Sequence, residues 1–165
     1  MPESGCEQPG TCGIRIDEEG DWFHGETRIF RPEVLEALCS KLERASDGGY
    51  ILVDRGAKCV LDVEDAPFVI SDVDRASTDS GEDVILLRLK HIPGRETLDP
   101  GSLWVGRGNV LYCKVRNGRF PARFSRPAYY RLSEFIMEGP DGEFYIDLAG
   151  GRYPLHVLTP DCIQD

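Results

Sequence analysis

The chain has 165 residues, with 19 Lys and Arg against 29 Asp and Glu, a formal charge of −10 at neutral pH. That length suits one domain or two small lobes, and with 41% hydrophobic residues it can bury a core without help from a metal or disulfide. The acidic balance weighs against general nucleic-acid or membrane-surface binding, and no apolar run approaches the roughly 20 residues of a membrane helix.

Met1 to Gln8 is polar and acidic, without the hydrophobic segment of a secretory signal, so the expected compartment is the cytoplasm. Residues 1–12 read as a flexible leader exposing Cys6 and Cys12. No CxxC pair occurs. Cys39, Cys59 and Cys113 fall in apolar-periodic stretches, as buried thiols do, so disulfides are not expected.

Along the first half, Ile14-Arg15-Ile16, an acidic turn ending at Gly20, Trp22-Phe23-His24 and Arg28-Ile29-Phe30 predict a hairpin. Arg31-Pro32 then opens a helix, because proline's fixed φ suits the first turn and its missing N–H has no partner there anyway. Val34, Leu35, Leu38 and Leu42 follow at helical spacing. Asp47-Gly48-Gly49 turns the chain into a strand at Tyr50-Ile51-Leu52-Val53.

Between the halves, Cys59-Val60-Leu61-Asp62-Val63, Phe68-Val69-Ile70 and Val84 to Leu89 read as strands, with a polar linker or long loop before the last. The second half repeats the first order of elements. Asn117-Gly118 joins two alternating segments, Leu111 to Arg116 and Arg119 to Phe124, and is a strong hairpin signal because both turn residues need positive φ. Arg126-Pro127 opens a second helix, with Tyr130, Leu132, Phe135 and Ile136 at looser helical spacing. Asp141-Gly142 leads into Phe144-Tyr145-Ile146. The expected fold is therefore α+β: two similar small lobes from a tandem hairpin–helix–strand repeat, mostly antiparallel. The boundaries are a leader at 1–12, lobes at 13–74 and 84–158, a linker or long loop at 75–83 and a tail at 159–165.

Four segments carry a family resemblance: Ile14 to Gly25, Val63 to Phe68, Arg123 to Leu132, and Gly150-Gly151-Arg152-Tyr153-Pro154-Leu155. In this order and over this span the chain resembles the bacterial DUF1285 family, whose domain has no known function. The resemblance implies a compact bacterial α+β protein with two similar lobes and a connection with signalling, and it implies no established catalytic activity.

The common catalytic motifs are absent: there is no phosphate-binding loop, HExxH or Gly-x-Ser-x-Gly elbow. Gly106-Arg107-Gly108 precedes a strand rather than a helix, which defeats a dinucleotide reading. His24, His91 and His156 are too dispersed to suggest a metal. An EF-hand counted from Asp72 would need Gly where Ser77 stands and Glu where Asp83 stands, so 72–83 reads as a solvated acidic loop. No metal or cofactor is expected. Glu64 and Asp65 precede Pro67, which holds Ala66 extended and leaves two carboxylates at a stiff strand break. They either accept backbone amides and fix a turn, or face an inter-lobe cleft as ligand acceptors.

Charge gives the sharpest lead. From Gly101 to Ser133 there is no acidic residue, yet Arg107, Lys114, Arg116, Arg119, Arg123, Arg126 and Arg131 lie there. A two-residue hairpin sets Arg116 beside Arg119, Lys114 beside Pro121 and Tyr112 beside Arg123, all on one face. Cations crowded this way call for an anion. The candidates are the acidic hairpin of the first half (Asp17, Glu18, Glu19, Asp21 and Glu26), an anionic small molecule, or an acidic protein partner. RNA is disfavoured, because only Tyr112 offers a stacking ring.

The sequence thus predicts a non-enzymatic ligand- or partner-binding module. Arg116, Arg119 and Arg123 contact the anion with Lys114 beside them, Tyr112 packs on it, and Trp22 and His24 supply the surface of the first lobe. The competing reading is a small hydrolase or transferase, with Glu64 or Asp65 as general base and His24 as acid.

Overall fold

Short alternating runs, many of them ended by glycine or Asx turns, divide the chain into sixteen strands among the described residues, against two α-helices of nine and eight residues. The computed structural model describes residues 10–148 and 150–157. The chain separates into two compact units between Asp65 and Ala66.

The first unit contains β1 (Gly10–Ile16), β2 (Trp22–His24), β3 (Thr27–Ile29), α1 (Pro32–Ser40), β4 (Leu42–Arg44), β5 (Tyr50–Asp54) and β6 (Ala57–Val63). All six strands form one sheet in the order β3-β2-β1-β6-β5-β4, with only β1 and β6 parallel. Pro32 starts α1, Glu33 sits in its first turn, and Leu35 and Cys39 are its buried positions. Ile16, Trp22, Leu42, Ile51, Leu52 and Leu61 are the unit's buried strand residues.

Cys12 of β1 is disulfide-bonded to Cys59 of β6, with Cα atoms 5.0 Å apart. This corrects the expectation of free thiols. The two cysteines are 47 positions apart and meet only because β1 and β6 are sheet neighbours. Cys39 and Cys113 are the buried free thiols that their apolar surroundings predict. Cys6 lies outside the described residues, as do most of the expected leader and the tail.

The second unit contains β7 (Phe68–Ser77), β8 (Asp83–Leu89), β9 (Glu96–Thr97), β10 (Trp104–Val105), β11 (Leu111–Val115), β12 (Phe120–Phe124), α2 (Arg126–Ser133), β13 (Ile136–Glu138), β14 (Phe144–Leu148), β15 (Gly151–Pro154) and β16 (His156–Val157). Seven strands pair in the order β16-β10-β11-β12-β7-β8-β9, and β13, β14 and β15 form a separate sheet. Phe68, Ile70, Ile85, Leu87, Cys113, Val115, Phe120 and Phe124 line the larger sheet's buried face. Ser125 caps α2 by accepting a hydrogen bond from the Ala128 N–H at 3.3 Å, and Ala128 and Leu132 anchor the helix.

The architecture is mostly β with three sheets, which overturns the expected α+β fold and its tandem repeat. The local order hairpin, helix, strand does occur twice. In the first unit those strands close into one sheet, whereas in the second the hairpin before α2 and the strands after it join different sheets. Local signals set the order of elements, but distant pairing decides the architecture.

Residues 72–77 are strand rather than solvated loop, and 75–83 is the tip of the β7–β8 hairpin, with Ser77 opposite Asp83. Its carboxylates are engaged by guanidinium groups: Asp72 with Arg131 at 2.8 Å, Asp74 with Arg95 at 3.0 Å, and Asp83 with Arg75. The Arg131 hydrogen bond holds the Asp72 carboxyl below its ordinary range. A carboxylate depressed in the folded state stabilises the fold above its unfolded pKa, and that contribution fades as pH falls through the lower folded value. Asp72→Asn should therefore narrow its stability deficit against the parent below about pH 4 and keep it above about pH 5, read from urea midpoints across that range. A deficit independent of pH would show that the ion pair does not matter.

Candidate functional site

The β11–β12 hairpin has the register its alternation predicts, with Tyr112 opposite Arg123 and Lys114 opposite Pro121. Leu111, Cys113, Val115, Phe120, Ala122 and Phe124 are buried, so Tyr112, Lys114 and Arg123 occupy the opposite face. Asn117 and Gly118 have φ of 59° and 78°, and the Arg119 N–H donates back to the Arg116 carbonyl at 3.2 Å.

The hairpin does not gather its cations at one point. Arg116 and Arg119 sit at the turn, where their guanidinium groups lie 5.8 Å and 5.4 Å from the ring centres of Phe68 and Phe120. The Arg116 N–H also donates to Glu96 at 2.9 Å. Arg123 lies four residues from Arg119, about 13 Å along an extended strand. The seven cations are thus divided between the turn, the far end of the hairpin and Arg131, which is already held by Asp72 and Asp74.

The far end is concave. A cavity of about 210 Å³ opens there between the turn at Gly108 and Asn109, the strand end at Arg123 and Phe124, and the first turn of α2. Arg126, Tyr129 and Tyr130 complete its wall. The two tyrosine rings meet edge-on at 5.8 Å and are exposed. Arg126 is the first residue of α2, no acidic residue lies in that turn, and no carboxylate pairs with Arg126 among the described residues. The macrodipole is positive at this end and favours an anion, so a cation there is destabilising until an anion arrives. By contrast, α1 carries Glu33 in the same turn.

Tyr112 is only partly available to a ligand. Its ring stacks on Trp104 of β10 at 5.3 Å and 12°, so one face is covered. A Cβ at Gly106 would lie 2.7 Å from the same ring. Gly106→Ala must displace a ring held by Trp104, and should lower stability by about 1–3 kcal/mol, as overpacking does. A thermal midpoint within a degree of the parent would show that the stack yields freely.

Several predicted residues of the first unit have structural work. Trp22 is 1% exposed and belongs to the core, which corrects its assignment to a binding surface. Glu64 accepts from Arg15 at 2.8 Å and from the Glu18 N–H at 3.2 Å, so it ties the β1–β2 turn rather than its own strand break. His24 pairs with Ile14, and Trp22 with Ile16, on one face of the sheet. Arg15, which holds Glu64, projects to the other face over Phe23 at 4.4 Å. Strand alternation therefore separates His24 from the Glu64 carboxylate, and the two do not form an acid–base pair. Asp17, Glu19 and Asp21 each bring an oxygen within 4.8 Å of the others. The turn explains this cluster, because Asp17 accepts the N–H groups of Glu19 and Asp21 and Asp21 pairs with Arg28.

The features that sequence reasoning left out of the site are Arg126, Tyr129 and Tyr130. A signal for Arg126 was present: an arginine beside Pro127 at a helix start, with no acid nearby. The tyrosines carried no signal apart from helical spacing.

The molecule is thus a small, mostly β protein with a cationic cavity, and its first part resembles a known family. Residues 5–66 match the N-terminal domain of DUF1285, a domain of unknown function, and this match ends beside the boundary of the first unit. Among solved structures, the chain is similar to a DUF1285 family protein from Silicibacter pomeroyi DSS-3, at 28% identity and a TM-score of 0.73, covering 90% of this chain and 84% of that one. It shares its fold with a DUF1285 family protein from Shewanella baltica OS155 at 20% identity and a TM-score of 0.60, covering 73% of this chain and 90% of that one. No curated protein matches the chain. The DUF1285 resemblance of the sequence therefore stands on a family model and on two solved structures. No helix of the described residues is long and apolar enough to cross a membrane.

Proposed function

We propose that the protein is a non-enzymatic binding module that holds an anionic small molecule in the second unit, at the cavity between the hairpin end and α2. The observation that carries this reading is the meeting of Arg123 and Arg126 with the positive end of α2, in a stretch of chain without a single acidic residue. Guanidinium forks match the planar geometry of carboxylate and phosphate oxygens and can donate two parallel hydrogen bonds. Tyr129 and Tyr130 add ring faces and hydroxyl donors for the remainder of the ligand. A cavity of about 210 Å³ suits a small anionic group better than the broad surface of an acidic protein.

In this reading Lys114, Arg116 and Arg119 raise the local potential without touching the ligand. Thermal-shift measurements with inorganic phosphate and with succinate, each at low and high salt, test the proposal. A bound anion raises the midpoint by mass action, and screening at high salt weakens the effect. No shift with either anion at low salt would overturn the small-molecule reading and favour an acidic protein partner.

A further inference from the structure

The Cys12–Cys59 bond lies beside an interruption in the β1–β6 ladder. The pairs Gly10–Cys59 and Thr11–Val60 are in register, but the next pair is Arg15–Asp62. Cys12, Gly13 and Ile14 thus stand against Leu61 alone, a bulge that leaves the ladder broken. Gly13 lies in this break with φ of 68°, a conformation that lets the chain turn there.

The two sides of the break are held very differently. From Ile14 onward, β1 also pairs with β2, Arg15 is fixed by Glu64 and Phe23, and Ile16 is completely buried. Ahead of the break, residues 10–12 pair with β6 alone, through two ladder positions and the disulfide. Beside the break lies a cavity of about 440 Å³, whose wall includes Thr11, Gly13, Ile14, Val60, Leu61 and Asp62. Both bonded cysteines are half-buried, unlike the buried thiols Cys39 and Cys113.

We infer that Cys12–Cys59 is a reducible latch: its opening frees the head of β1 to swing about Gly13 and uncovers the cavity against β6. A dithiol reductant supplies the two electrons and two protons. Its thiolate attacks one sulfur, giving a mixed disulfide and releasing the other cysteine. Its second thiol then attacks the reductant's own sulfur in that mixed disulfide and displaces the bound cysteine, leaving two protein thiols and the cyclic oxidised reductant. In a reducing compartment a disulfide of this kind is transient and serves redox sensing rather than permanent support. Opening would leave the β6 edge at Cys59 and Val60 without its β1 partner. The reduced protein thus presents an unpaired strand edge that the oxidised protein covers.

Hydrogen exchange on the full chain, oxidised and after treatment with dithiothreitol, tests this, with non-reducing peptide mapping to verify the Cys12–Cys59 link beforehand. Reduction should speed exchange roughly tenfold or more at residues 10–13 and 59–61, leave Ile14 to Ile16 and the second unit unchanged, and reverse on reoxidation. Cys12→Ser should reproduce the reduced pattern without any reductant. Unchanged exchange at 10–13 would overturn the proposal, since the bond would then be redundant. Loss of protection through all six strands would overturn it too, because the bond would be a staple for the whole unit. Failure to find the crosslinked peptide in oxidised protein would remove its basis. The anion site belongs to the second unit, so none of these outcomes bears on it.

Discussion

Trp22→Ala should destabilise the first unit by about 3–5 kcal/mol, the cost of removing a large buried aromatic side chain. Trp22 is 1% exposed and pairs with Ile16 on one side and Ile29 on the other, so the cavity left behind lies inside the sheet's buried face. Small domains have roughly 5–15 kcal/mol in total, so the variant should unfold at a much lower urea concentration and populate unfolded chain near body temperature. Trp22→Phe, which keeps most of the ring volume, should lose much less. Equilibrium urea unfolding of the three proteins decides the matter. An unchanged midpoint in Trp22→Ala, accompanied by lost ligand binding, would return Trp22 to a binding surface.

Replacing Arg123 and Arg126 together with alanine should abolish measurable binding of phosphate or succinate. Each charge-assisted hydrogen bond is worth about 1.5–3 kcal/mol, so losing both weakens affinity by roughly two to four powers of ten. The change in stability should go the other way. Arg126 sits at the positive end of α2, and removing it should stabilise the anion-free protein by a few tenths to 1 kcal/mol. A residue that is costly when empty and useful when occupied is a mark of function rather than of folding. Arg116→Ala with Arg119→Ala should weaken binding only slightly, because these side chains lie at the turn over Phe68 and Phe120. Isothermal titration of the two double variants against the parent compares them directly. Equal loss in both would mean that the whole hairpin face, not the cavity, holds the anion.

Much of the local structure was legible in the sequence. The Asn117-Gly118 turn, the register it imposes and the proline-led starts of α1 and α2 depend on neighbouring residues, and backbone sterics act over a few positions. The uneven charge was equally plain, and it pointed to the hairpin that carries Arg123. It did not separate Arg116 and Arg119 at the turn from Arg123 at the far end, because a ladder spreads its side chains along its length and sequence counting does not show which end is concave. Trp22 and His24 were placed together because they stand two positions apart on one face of a strand, yet one is core and the other is exposed at the strand end.

What the sequence determined by itself is the order of turns, strands and short helices, together with the acid-free stretch that gives the second unit its cations. Each of these follows from interactions within a few residues or from composition alone. The tertiary structure decided that two similar runs of elements enter different sheets, that Cys12 meets Cys59, and that the turn at Gly108 and Asn109 walls a cavity beside Arg123 and Arg126. Those outcomes depend on contacts between residues far apart in the chain. Their selection rests on burying apolar faces and completing strand edges, which are properties of the packed whole that no local pattern encodes.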